Sequence, residues 1–224
     1  MSDPSTHPAD APEATPGAQE GVIQFAYDLQ PTDRPPLGGE RFAQLQAWRL
    51  ILRQLGLLGQ DPGRYEGLAF GNMSVRDPAQ PEQFAVTASQ TGALAVLAPT
   101  DLVRVLRCNL GRFWVDAEGF QPPSSETLTH GMIYAADPEI HWVFHCHSPE
   151  VWRRAPALDL PCTPAGVSYG SPAMTAAVAH VLRRHKQRPM LFATLGHEDG
   201  LFACGATAEA AGTRLVAALA QARS

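Results

Sequence analysis

The chain has 224 residues, 45% hydrophobic and 17% charged, with a formal charge of −5 at pH 7 and an isoelectric point near 5.9. That length suits one sizeable domain with a core able to hold a preorganised site, and the acidic balance argues against nucleic acid or an anionic membrane surface as partner. No window approaches the roughly 18 apolar residues of a membrane helix, the first residues lack a signal peptide's charged and apolar regions, and the four cysteines form no CxxC pair, so reduced buried thiols in a cytoplasmic protein are expected.

Residues 1–20, rich in Pro, Ala, Ser and Asp, carry too little apolar area to offset ordering entropy, so the spacing predicts a disordered or extended tail through residue 38 and one domain over 39–224. Within the tail VIQFAY reads as a short strand or extended arm. Leu45, Trp48, Leu52 and Leu55 recur at three and four, a helix face that Gly56 and Gly59 end. LAFGNMSVR reads as a strand interrupted at Gly71-Asn72, FAVTAS as a second, and DLVRVLR with RFWVD as a hairpin. SSETLTHGMIYAAD predicts a helix with serine at its N-cap, and HWVFHCH a strand. Ser171-Pro172 opens another helix, MLFATL and LFACG are strands, and Thr207 caps the last helix. Strands and hairpins with helices between them predict a mixed α/β sandwich.

The stretch HWVFHCHSPE, residues 141–150, carries the first chemical signal. Side chains alternate along a strand, so Val143, His145 and His147 share one face while Trp142, Phe144 and Cys146 take the other. Two imidazoles at i and i+2 can converge on one ion, or can simply bond backbone carbonyls at a strand end. His197, in a loop after an apolar strand, can supply a third neutral imidazole and so the open, three-ligand arrangement of a catalytic zinc ion. Glu126, in SSE, is a carboxylate at a helix start that can act as ligand or proton carrier, or can simply favour the helix dipole.

Taken in order, GNMSVR (71–76), VTASQTG (86–92), SSETLTHGMIY (124–134), VFHCHSP (143–149), YGS (169–171) and GHEDGLFACG (196–205) resemble the class II aldolase/adducin family, the fuculose-phosphate aldolase and ribulose-phosphate epimerase group. The resemblance runs from about Glu40 to Ala222. It implies an α/β/α layered fold around a largely antiparallel sheet, and a homotetramer with sites between subunits. It implies that His145, His147 and His197 bind Zn²⁺ or another divalent transition metal, and that Glu126 is the acid/base. Asn72, Ser124 and Ser125, with Ser89 and Gly92 of the 87–92 loop, would bind the substrate's phosphate. The implied chemistry is aldolase-type C–C cleavage through a metal-stabilised enediolate, on a small hydroxylated carbonyl compound of the sugar-phosphate class. Glu rather than Asp at position 126 favours cleavage over epimerisation. Dehydration or decarboxylation of a related sugar acid or ketose phosphate, and a non-catalytic scaffold like the adducin head, are the alternatives. Iron with two histidines and Glu126 or Glu198 is a third.

The sequence departs from the family pattern at informative places. The usual His-Gly is opened here to His197-Glu198-Asp199-Gly200, which adds two carboxylates beside the expected ion. Residues 161–165 hold no tyrosine where family aldolases carry an acid for the neighbouring subunit's site, and Tyr169 is the nearest one. His130, one turn after Glu126, is either a supporting partner of the site or a plain helix histidine.

Overall fold

The structure is a computed structural model and describes residues 21–224. The stretch 1–20, expected to be disordered, lies outside the described residues. The strands are β1 (Ala26–Gln30), β2 (Gly59–Gln60), β3 (Ala69–Phe70), β4 (Asn72–Arg76), β5 (Phe84–Thr87), β6 (Leu102–Asn109), β7 (Trp114–Glu118), β8 (Trp142–His147), β9 (Cys162–Thr163), β10 (Met190–Thr194) and β11 (Gly200–Gly205). The helices are α1 (Gly39–Gln54), α2 (Thr127–Ala136), α3 (Pro149–Arg153), α4 (Pro172–Arg184) and α5 (Ala208–Arg223).

Nine strands form one sheet in the order β1-β7-β6-β5-β4-β8-β11-β10-β9, antiparallel except for the outer pairs β1–β7 and β9–β10. The sheet is apolar on both faces. One face packs Phe144, Cys146, Leu201 and Ala203 with Leu45 and Leu52 of α1 and Leu215 and Leu219 of α5. The other packs Val143, Phe202 and Cys204 with Leu128 and Ile133 of α2 and Met174 and Val178 of α4. Helices on both faces of a largely antiparallel sheet give the expected α/β/α layering.

Three sequence expectations need correction. The segment read as a tail to residue 38 contributes β1, whose residues pair with β7 from Ala26↔Trp114 to Gln30↔Glu118; its alternate burial lets Phe25 and Leu29 reach the core, a signal too short to separate from an extended arm. Ser124 is not the cap of α2. The helix begins at Thr127 with Glu126 at the N-cap, because Ser124 turns its carbonyl to Thr127, accepting from N at 3.0 Å and from Oγ1 at 2.6 Å. The cysteines form no disulfide, but Cys108 and Cys162 are only half-buried. The caps at Ser171 and Thr207 are as expected, each hydroxyl accepting from the backbone N–H three residues on, of Met174 and Ala210.

Among the described residues, no helix is long and apolar enough to cross a membrane.

Candidate metal centre and active site

Strand register brings the chemistry together. In β4, β8 and β11 the partners Asn72, His145 and Phe202 lie in one row, and His147 stands opposite Gly200. Gly71, between β3 and β4, has φ +78°, and a Cβ there would lie 2.5 Å from Leu58 Cβ and 3.1 Å from the His145 carbonyl. Glycine is thus what lets the chain turn into β4 hard against β8 and lay Asn72 beside His145.

His145 and His147 both point to the α2/α4 face, as the alternation predicts, and both are fully buried. His145 Nδ1 donates to the Leu201 carbonyl at 3.0 Å, and its ring stacks on Phe202 at 4.4 Å between centroids. That bond fixes the tautomer and leaves Nε2 unprotonated, facing His147 Nε2 at 3.1 Å. His197 reaches the same point from the loop between β10 and β11, its ring 5.1 Å from His145 and 4.8 Å from His147. Gly200 makes room for it, since a Cβ there would lie 3.0 Å from His197 Nδ1. The three ligand atoms lie within 4.8 Å of one another.

This donor set fits a divalent ion. Two imidazole nitrogens on one tetrahedral zinc stand about 3.3 Å apart, close to the His145–His147 spacing. Burial, with the nearby His197 and Arg64, holds His147 well below the usual imidazole range, so it is neutral and able to ligate.

Glu126 is 1% exposed. Its Oε2 accepts from Thr129 Oγ1 at 2.6 Å and its Oε1 lies 3.4 Å from His197 Nδ1. The start of α2 therefore delivers a carboxylate to the edge of the histidine cluster.

The expected phosphate-binding residues fall into two groups. Ser124 and Ser125 are buried in the turn before α2. Ser89 is tied to that turn: its N–H donates to the Pro122 carbonyl at 2.9 Å, and Ala88 bridges Pro123. Gly92 serves packing, because a Cβ there would meet the Gly59 carbonyl at 2.6 Å and the Phe70 carbonyl at 3.1 Å. The carbonyls of Thr91 and Gly92 accept from Arg49, and Gly92 also from Arg53. Two α1 arginines thus hold the 87–92 loop from below, and their spacing on the helix gave no hint of it.

Asn72 is held by a relay. Asn72 Oδ1 lies 2.7 Å from His130 Nε2, His130 Nδ1 lies 2.6 Å from Ser74 Oγ, and Ser74 Oγ lies 2.7 Å from Tyr134 OH. With the amide oxygen as acceptor, a neutral His130 donates through Nε2 and accepts at Nδ1 from Ser74, which leaves Tyr134 OH to donate to Ser74. Burial pushes the His130 imidazole down to about 3, so it stays neutral with one donor and one acceptor nitrogen. Asn72 Oδ1 is the acceptor, so its NH₂ is turned the other way. His130 is thus bonded on both ring nitrogens, to Asn72 and to Ser74.

Tyr169 stacks on His197 at 4.6 Å, and its hydroxyl donates to the Val22 carbonyl at 3.4 Å. Glu198 is exposed and Asp199 is buried. Asp199 Oδ2 accepts from Tyr65 OH at 2.7 Å, and Tyr65 packs edge-on against His147. Tyr65 went unnoticed in the sequence because it sits in an irregular stretch with no periodicity, and only the fold brings it to the site.

Comparison with known proteins shows the family and the fold. Residues 63–223 match the family model described as Class II Aldolase and Adducin N-terminal domain. The chain belongs to the class II aldolase/adducin family. Solved structures with the same fold include L-fuculose-1-phosphate aldolase from Thermus thermophilus, 20% identical, with a TM-score of 0.58 over 81% of this chain and 90% of that one. A sugar-phosphate aldolase from Thermotoga maritima is 16% identical, with a TM-score of 0.61 over 82% and 92%. L-Fuculose 1-phosphate aldolase from Glaciozyma antarctica PI12 is 22% identical, with a TM-score of 0.55 over 85% and 76%. A search of curated proteins finds no match. Class II aldolase/adducin membership supports an aldolase-type lyase in general terms.

Proposed function

We propose that the chain is a metal-dependent lyase that cleaves a C–C bond in a small hydroxylated carbonyl compound of the sugar-phosphate class. The observation that carries this reading is the convergence of three buried histidines with a buried carboxylate at their edge. A scaffold has no use for this set, and burying it without function is costly.

In this reading His145, His147 and His197 hold a divalent ion, with zinc the first candidate. Bound there, the ion supplies Lewis-acid stabilisation of negative charge developing on a substrate oxygen. Glu126 carries the proton. Oε2 is committed to Thr129, so Oε1 is the atom that exchanges it. Asn72 offers its amide NH₂, fixed by His130, to the substrate's phosphate. Ser124, Ser125 and Ser89, joined in one turn-and-loop unit through the Ser89 N–H on Pro122, offer their hydroxyls, which donate to an anion without lysine or arginine. Gly92 keeps that loop close to the sheet. The reading includes a cytoplasmic homo-oligomer, a tetramer by family resemblance, which light scattering tests.

The test is metal content of the purified protein, followed by a screen of ketose phosphates for aldehyde release. About one equivalent of zinc per chain with cleavage of at least one ketose phosphate is expected. Absence of bound metal after incubation with zinc, manganese and cobalt in turn would overturn the reading.

A further inference from the structure

The loop that carries His197 is two residues longer than the family's His-Gly form, and the structure separates the two additions. Glu198 faces solvent, while the Asp199 carboxylate is buried beside the histidines. A buried carboxylate needs partners. Asp199 has Tyr65 OH at 2.7 Å on Oδ2 and Arg64 Nη2 at 3.8 Å from the same oxygen. Arg64 Nη2 also donates to Tyr65 OH at 2.7 Å, and its guanidinium lies over the rings of Tyr65 and Phe70 at 4.9 and 4.4 Å.

These contacts tie three pieces of chain together. Tyr65 belongs to the turn between β2 and β3, and its ring meets His147 edge-on at 4.8 Å, with Phe70 behind it at 5.6 Å from His147. Asp199 follows His197 by two residues, and its carbonyl accepts from the N–H of Ser148, the residue after His147, at 3.0 Å. One residue therefore binds the backbone beside one ligand, sits in the loop of another, and anchors the ring that walls the first. Tyr65 at φ +49° and Asp199 at φ +61° are both left-handed, a conformation that an aspartate takes readily and a tyrosine uncommonly.

We propose that Tyr65 and Asp199 form a latch that fixes the rings of His147 and His197 and slows release of the ion they hold. Both are positioning residues, and the inference rests on the metal reading above. A metal ligand is held by what surrounds it, and loss of such support costs about 10–100-fold in affinity. Here the support comes through ring packing and a loop tie, so the cost falls on the rate of ion escape.

The test uses the full chain loaded with zinc and mixed with a chromophoric chelator, in the wild type, Tyr65→Phe, Asp199→Asn and the double variant. Tyr65→Phe keeps the ring against His147 and removes only the hydroxyl. Zinc transfer about 10-fold or more faster in each single variant is expected, with little further gain in the double variant, because both act on the same bond: Tyr65→Phe removes its donor, and Asp199→Asn replaces the charged acceptor, which also faces Arg64, with a neutral amide. Wild-type transfer rates in both single variants would overturn the latch. A lowered melting temperature of the metal-free variants with an unchanged transfer rate would mark a merely structural contact and overturn it equally. If Asp199→Asn does not fold, Tyr65→Phe decides alone. Wild-type protein that takes up no zinc would instead overturn the metal reading on which the latch depends.

Discussion

Glu126 and His197 face each other across the edge of the histidine cluster, with Oε1 3.4 Å from Nδ1 and the other carboxylate oxygen held by Thr129. A carboxylate so placed has one fixed oxygen and one turned toward the histidine cluster. Replacing Glu126 by Gln keeps the shape and the Thr129 contact but removes the exchangeable proton site. Glu126→Gln is expected to retain the fold and the bound metal and to lose turnover by about 10²–10⁴-fold, the usual worth of a general acid/base. Steady-state kinetics beside metal analysis of the same sample check this, and full turnover in the variant rules out the role.

Removing the ion should be felt as lost stability. A ligand that binds the native state alone adds about 4 kcal/mol at a thousand times its dissociation constant. A strong chelator is therefore expected to lower the melting temperature of the wild type by several degrees. His145→Ala should abolish that difference, because it removes one of the three converging imidazoles, whose Nε2 faces that of His147 at 3.1 Å. Calorimetry with and without chelator reads it. A chelator shift that survives in His145→Ala would remove the residue from the ligand set.

Acid should weaken the protein through His130. Burial holds this imidazole down to about 3 in the folded chain, whereas an unfolded histidine titrates near 6.5. Between those values the unfolded state binds the extra proton, so stability falls as pH drops through that window and is fully present above it. The slope from one such group is at most about 1.4 kcal/mol per pH unit. Urea midpoints at pH 7, 6 and 5 for the wild type and His130→Gln test this. The stability gap between the two proteins should narrow as pH falls, and a gap independent of pH contradicts the assignment.

Much of the site was legible because strands write it in two-residue steps. His145 and His147 had to share a face, and the ordered motifs around them placed Glu126 and His197 nearby. What escaped depended on tertiary placement. Arg49, in the middle of the Leu45–Leu52 stripe, reads as a solvated charge, yet it is buried with its guanidinium on loop carbonyls. Arg76 likewise ends β4 inside the fold, donating to the carbonyls of Tyr134, Asp137 and Ile140. Long side chains with five donors can satisfy carbonyls from several loops at once, and no local pattern signals which do so. The start of α2 was misplaced for a related reason: serine, an excellent cap in isolation, here spends its backbone on a turn that aims Glu126.

The relay from Tyr134 through Ser74 and His130 to Asn72 makes a prediction that separates binding from chemistry. With Ser74 donating to Nδ1, His130 must carry its proton on Nε2, and Asn72 must present Oδ1 to it and NH₂ away from it. Ser74→Ala removes the donor to Nδ1. The imidazole is then free to take the other tautomer, with Nε2 as acceptor, and the Asn72 amide can turn over and present an oxygen where a phosphate needs a donor. The side chain removed is small, and its bonds run to His130 and Tyr134 rather than to His145, His147 or His197. KM for a phosphorylated substrate is expected to rise about 10-fold, or about 1.4 kcal/mol, with kcat and metal content nearly unchanged. KM for the unphosphorylated analogue should move little. Equal loss on both substrates would mean that Ser74 acts through packing, and an unchanged KM would remove Asn72 from the phosphate site.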